Sequence, residues 1–170
     1  MIRNIEIKAK STNHQFIREI LIKHNAYFKG EDYQIDTYFN VQFGRLKLRE
    51  GQIENNLIHY NRSDIEGPKQ SDVILFQAKL DSTLKQILIK SLGILVVVEK
   101  KREIFFIDNV KFHLDTVENL GTFVEIEVID KEGIIGKEKL NEQCHFFLKL
   151  FKIDDKDLIA QSYSDLLMKK

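Results

Sequence analysis

Gly44-Arg45-Leu46-Lys47-Leu48-Arg49 carries three cations at alternate positions with leucines between them. A strand turns successive side chains to opposite faces, so Arg45, Lys47 and Arg49 share one face while Leu46 and Leu48 take the other. The division recurs with opposite charge in Phe123-Val124-Glu125-Ile126-Glu127-Val128, where Glu125 and Glu127 lie opposite Val124, Ile126 and Val128. In Lys111-Phe112-His113-Leu114-Asp115 the polar face carries Lys111, His113 and Asp115, and near the start of the chain Glu6 and Lys8 share a face. For one strand alone, a half-buried sheet with its ionic face in water accounts for such a pattern. Here like charges sit side by side and are sorted by strand, whereas an ordinary surface mixes the signs. If the sheet closes with its apolar faces outward against helices, the ionic faces become an interior with an acidic and a basic wall. That interior suits a polyanion arriving with a hard divalent cation, Mg²⁺ or Mn²⁺. Carboxylate oxygens hold the metal, and Arg and Lys neutralise phosphate oxygens.

Around these strands the pattern is α+β. Residues 2–10 alternate as a strand. Residues 12–25 read as a helix capped by Thr12, with Phe16, Ile17, Ile20 and Leu21 on one stripe. Strands are expected at 34–39 and 45–50, joined by a turn at Gln42-Phe43-Gly44, and at 57–62. Residues 63–71, with Gly67 and Pro68, read as a loop. Residues 82–92 read as a helix stopped by Gly93. Strands follow at 94–103, 104–107, 111–115 and 123–129, then helices from 137 to 151 and over 157–168. Two strands are left open by their period. Tyr60 and Arg62 share a face, but His59 and Asn61 opposite them are also polar. In 96–103 both faces are charged, so either Lys100 and Arg102 or Glu99 and Lys101 point inward.

Composition narrows the function classes. A chain of 170 residues, 43% hydrophobic and with twelve Phe, can fold as one domain over 1–170. Lys plus Arg equals Asp plus Glu, 26 against 26, so no global field draws the chain to nucleic acid or an anionic membrane, and any anion site is local. One cysteine, Cys144, allows no internal disulfide. No apolar run suits a leader or a membrane span, and the expected location is cytoplasmic. Five histidines, at 14, 24, 59, 113 and 145, show no zinc spacing, so His113 reads as a hydrogen-bonding wall residue. Cys144 reads as helix packing, and Glu31-Asp32 and Asp154-Asp155 as solvated turns or caps.

Asn4-Ile5-Glu6-Ile7-Lys8 resembles the Glu-x-Glu-x-Lys signature of the CYTH superfamily, the triphosphate tunnel metalloenzymes, which includes class IV adenylyl cyclases, thiamine triphosphatases and inorganic triphosphatases. The resemblance continues in family order through Asp36-Thr37-Tyr38-Phe39, 44–50, 57–62, 67–72, 98–103, His113-Leu114-Asp115, 120–127 and 162–167. It implies a closed antiparallel β-barrel of eight strands, a triphosphate tunnel with flanking helices. Glu6, Glu125 and Glu127, with Asp115, match metal-side carboxylates; Lys8, Arg45, Lys47, Arg62, Lys100 and Arg102 match the cations that grip the triphosphate, and Arg49 continues their parity. Glu6, Lys8 and Arg102 are the catalytic candidates. The implied activity is metal-dependent hydrolysis of an inorganic, thiamine or nucleoside triphosphate. The alternatives are cyclisation of ATP to cyclic AMP and pyrophosphate, or triphosphate binding without turnover. The implied partner is a small-molecule triphosphate, without nucleic acid or membrane, on a monomer or homodimer. Asn4 replaces the first signature Glu, keeping an oxygen but losing a charge, which bears on a second metal ion.

Overall fold

Eight segments of alternating pattern pair edge to edge in the computed structural model, which describes residues 2–62, 67–79 and 82–170, the side chains of Ile2, Arg3 and Arg62 excepted. They are β1 (Ile2–Lys10), β2 (Tyr27–Phe39), β3 (Arg45–Glu50), β4 (Asn56–Arg62), β5 (Lys69–Gln77), β6 (Ile94–Ile107), β7 (Val110–Val117) and β8 (Gly121–Asp130). The order β1-β5-β4-β3-β2-β6-β7-β8 closes because β8 pairs back onto β1, and every pairing is antiparallel. Closure leaves no free sheet edge and turns one face of every strand inward.

The outward apolar faces of β1, β7 and β8 are covered by α1 (His14–Lys23) and α3 (Lys137–Leu150). α1 contributes Ile17 and Leu21; α3 contributes Leu140, Cys144, Phe147 and Leu148, spaced to lie on one stripe. Cys144 is fully buried there, and burial pushes its thiol up to about 12, as suits a packing residue. Opposite, α2 (Leu84–Leu92) lays Leu84, Leu88 and Leu92 on the cluster of Phe39, Leu48 and Ala78. α4 (Tyr163–Met168) starts in a capping box between Ser162 and Asp165.

Several sequence expectations shift. The cap of α1 is Asn13, not Thr12; its side chain accepts from Phe16 N at 3.1 Å. β2 begins seven residues before the expected 34, because pairing with β6 carries Tyr27–Tyr33 into the sheet despite Gly30. Asp32 is therefore a buried strand residue rather than a solvated turn, while Glu31 stays exposed and pairs with Lys101. Part of the loop expected at 63–71 is the start of β5, and Ser63–Glu66 lie outside the described residues. The segments 94–103 and 104–107 form one strand. Residues 157–168 are not one helix. A 3-10 turn at Asp155–Asp157 leads to an extended stretch in which Leu158 bridges Ala9 and Ile159 N donates to Lys8 O at 2.9 Å, and only then does α4 begin.

Candidate functional site

The inward faces bring together Glu6 and Lys8 from β1, Asp36 and Tyr38 from β2, Lys47 and Arg49 from β3, Tyr60 from β4, Lys100 and Arg102 from β6, Lys111 and His113 from β7, and Glu125 and Glu127 from β8. They enclose about 150 Å³, several times the roughly 30 Å³ of one water, so the interior is a cavity rather than a packed core. β6 turns Lys100 and Arg102 inward, both buried, and leaves Lys101 exposed. That settles the strand whose two faces were equally charged.

On the basic wall, the Asp36 carboxylate receives Lys47 Nζ at 3.0 Å, Arg49 Nε and Nη2 at 2.8 and 2.9 Å, and Lys100 Nζ at 2.7 Å. Burial would raise this carboxyl, but Arg49, Lys100 and Lys47 outweigh it and hold it well below the usual carboxylate range. Burial pushes the Lys100 ammonium down against the pull of Asp36, and Arg49, Arg102 and Lys47 push the same way. Arg49 also reaches Glu54, of the loop before β4, at 2.9 Å, so three cations meet Asp36 and a shared Glu54, and an anion in the cavity would add a partner for them.

Facing it, Arg102 makes a fork onto Asp115, Nε to Oδ1 at 2.7 Å and Nη2 to Oδ2 at 2.5 Å, and Nη2 also reaches Glu125 at 2.9 Å. Tyr163 of α4 donates its hydroxyl to Asp115 at 2.7 Å, and its ring lies 4.0 Å from Lys8 Nζ. Lys8 pairs with Glu125 at 3.1 Å. His113 Nδ1 lies 3.1 Å from Glu125, and burial, with Arg102 and Lys111, lowers the imidazole to about 3. His113 is therefore neutral at pH 7. Its Nδ1–H donates to the carboxylate, which leaves buried Nε2 as an acceptor with no partner among the described residues. Glu127 differs from Glu125. Burial raises its carboxyl, and Glu6, Glu125 and Glu54 add to that rise against the pull of Lys111.

These charges set a pH dependence. Asp36 and Glu54 have folded pKa values held well below the ordinary range, Glu54 by Arg49 and Lys111 against burial. The stability they contribute is present above the ordinary carboxylate range and lost as pH falls through their folded values. The urea midpoint is expected to hold from pH 7 to about pH 5 and to decline below about pH 4. A midpoint unchanged down to pH 3 contradicts this electrostatic picture.

Of the residues expected from sequence, Glu6, Lys8, Lys47, Arg49, Lys100, Arg102, Glu125 and Glu127 line the cavity. Arg45 is not among the lining residues and is bonded to Asp165 of α4 at 2.9 Å. Asp115 stands behind Arg102 with no exposed surface. Arg62 lies outside the described side chains. Sequence reasoning put Lys111 on the ionic face with His113 and Asp115 but gave it no role, and it did not place Asp36, Glu54 or Tyr163 in the site. The inward parity of Asp36 with Tyr38, and of Lys111 with His113, was a usable signal; Glu54 and Tyr163 come from a loop and a helix, where strand period says nothing.

Comparison with known proteins agrees with this geometry. Residues 3–163 match the family model described as the CYTH domain. A candidate adenylate cyclase of Methanocaldococcus jannaschii is 28% identical over 172 residues, covering 95% of this chain and 97% of that protein. Among solved structures, the PH1012 protein of Pyrococcus horikoshii superposes with a TM-score of 0.81 at 21% identity, covering 96% of this chain and 98% of the other. HpAC1 from Hippeastrum, a candidate adenylyl cyclase with a dominant triphosphatase activity, superposes with a TM-score of 0.64 at 16% identity, covering 99% and 94%.

Proposed function

The chain belongs to the CYTH domain family, and from that footing we propose that it hydrolyses a triphosphate compound inside the barrel with the help of a divalent ion, Mg²⁺ or Mn²⁺. The observation that carries this reading is the sorted interior, a cation-rich wall around Asp36 facing the carboxylates of β1 and β8 across one cavity.

The carboxylates suit a hard cation. Glu127 is a half-buried carboxyl raised by its surroundings, and beside it Asn4 Oδ1 is buried with no hydrogen-bond partner among the described residues. Among the described residues, no three His, Cys, Asp or Glu side chains already converge at metal-binding spacing. Glu125 is turned to Lys8, Arg102 and His113 instead. Glu6, Glu125 and Glu127 are the residues that would hold the ion, since Asp115 is committed to Arg102 and Tyr163. When bound, the ion polarises phosphate oxygens and neutralises their charge.

The chain's own residues then exchange partners. Phosphate oxygens would compete with Glu125 for Lys8 and Arg102, and Glu125 is one of the residues that would hold the ion. Lys47, Arg49 and Lys100 share their charge between Asp36 and phosphate. Asp115 and Tyr163 keep the Arg102 guanidinium oriented throughout. His113 Nε2 offers a neutral acceptor in the wall.

A second reading, cyclisation of ATP to cyclic AMP and pyrophosphate, is favoured by the name of the M. jannaschii relative. Purified protein incubated with tripolyphosphate, thiamine triphosphate or ATP, each with Mg²⁺ and Mn²⁺, separates the two. Orthophosphate release is expected; cyclic AMP with pyrophosphate would establish the cyclase instead. Thermal stabilisation by tripolyphosphate, about 2.7 kcal/mol at a hundredfold excess over Kd, without any product would mark a binding module.

A further inference from the structure

Two of the eight strands give the cavity a wall of a different kind. β4 contributes Asn56, Ile58 and Tyr60, β5 contributes Ser71, Val73 and Leu75, and none of these six side chains carries a charge at pH 7. Lys69, on the same face of β5, is buried and donates its ammonium to the carbonyl oxygens of Ile159 and Ala160 at 3.2 and 2.7 Å. In the ring order β4 and β5 stand opposite β7 and β6, so the neutral wall faces Lys100 and Arg102 across the cavity. The register pairs Leu75 with Ile58, and Ile58 with Lys47, which sets these apolar side chains beside the cations of the basic wall rather than beyond them. Tyr38 and Tyr60 mark the border between the two. Their hydroxyls are 3.5 Å apart, and Lys47 Nζ lies 5.3 and 5.7 Å from their rings. Leu75 lines the cavity and is still 49% exposed, so the cavity meets solvent beside it.

A bare phosphate chain is charged on every side. Against Ile58, Val73 and Leu75 it would lose water and gain no donor in return. A ligand with phosphates on one side and apolar surface on the other matches both walls, and pockets that hold organic molecules combine apolar lining with a few polar groups in this way. We propose that the compound bound is an organic triphosphate, a phosphate chain ending in an apolar or aromatic group that lies on the β4–β5 wall, and that inorganic tripolyphosphate is a poor ligand. The phosphates meet Lys47, Lys100 and Arg102, while the organic group covers apolar surface that otherwise faces water. The inference rests on the triphosphate reading of the cavity and narrows it to a substrate class.

The test compares the affinities of tripolyphosphate, methyl triphosphate, thiamine triphosphate and ATP by calorimetry without a divalent ion. Tripolyphosphate is the most highly charged of the four, so charge alone favours it. At least one of ATP and thiamine triphosphate is expected to bind about tenfold more tightly than tripolyphosphate and methyl triphosphate, and the tighter of the two identifies the organic group. Leu75→Gln is expected to reduce that preference about fivefold with tripolyphosphate affinity unchanged. Leu75→Lys, which adds a cation to the neutral wall, is expected to tighten tripolyphosphate. Tripolyphosphate binding as tightly as both organic compounds overturns the proposal, as does a preference that both variants keep in full. The wild-type comparison decides the matter by itself if a variant does not fold. An organic preference in binding with no product released defeats the proposed hydrolysis and leaves this inference standing. Hydrolysis of all four compounds with equal affinity does the reverse.

Discussion

Arg102→Ala is expected to cost about 3–5 kcal/mol of stability, because it leaves the fully buried Asp115 carboxylate without its counter-ion and strips half-buried Glu125 of one of its cations, leaving it Lys8. For a chain of this length, that lowers the melting temperature by roughly 6–20 °C. From the family resemblance Arg102 was expected only as a cation that grips the triphosphate. The geometry makes Arg102 both a candidate ligand and the keystone of a buried network with Tyr163. Arg102→Lys separates the roles. It keeps the charge and the fold but loses the planar fork, so turnover is expected to fall at least about tenfold while the melting temperature drops far less. Thermal unfolding alongside phosphate-release kinetics reads both quantities. A loss below about 1 kcal/mol for Arg102→Ala would place the residue among exposed, screened pairs and remove it from the site.

Glu127→Gln is expected to act in opposite directions on function and stability. Turnover should fall at least about tenfold, equivalent to about 1.4 kcal/mol, and the metal concentration for half-maximal activity should rise, because a ligand charge is lost. The metal-free protein should keep its stability or gain some. The folded pKa of Glu127 is raised, so its contribution is fully present below the ordinary carboxylate range and lost as pH rises through the folded value. At neutral pH the charge is therefore a cost, which Gln removes while its amide oxygen can still accept from Asn4. Melting curves without metal and a Mn²⁺ titration of activity measure the two halves. Unchanged activity and an unchanged titration would exclude Glu127 as a metal ligand.

Much of this site was legible from strand period, because a two-residue repeat fixes which side chains share a face before any partner is known. Arg45, Lys47 and Arg49 could be grouped with confidence against Leu46 and Leu48 for that reason, and Glu125 with Glu127. Period fails where both faces carry the same chemistry. The segment around Lys100 was undecided on its own residues, and the family resemblance, not the pattern, pointed Lys100 and Arg102 inward. The strand at Lys69–Gln77 went unread for a related reason: Ile74, Leu75 and Phe76 run apolar on both faces, so no alternation marks them.

By itself the sequence determined an α+β chain whose strands each pair an apolar with an ionic face, and a charge sorting that calls for enclosure around an anion and a cation. Those properties are local, set by bonded geometry and side-chain chemistry along a few residues. Only the tertiary structure decided how the charges are spent. Pairing of β2 between β3 and β6 set Asp36 among Lys47, Arg49 and Lys100, residues distant in sequence. Docking of the C-terminal segment brought Tyr163 onto Asp115, and the β3–β4 loop delivered Glu54 to Lys111. These contacts join residues with no fixed spacing, and whether a carboxylate holds a proton, an arginine or a metal depends on the neighbours that folding supplies.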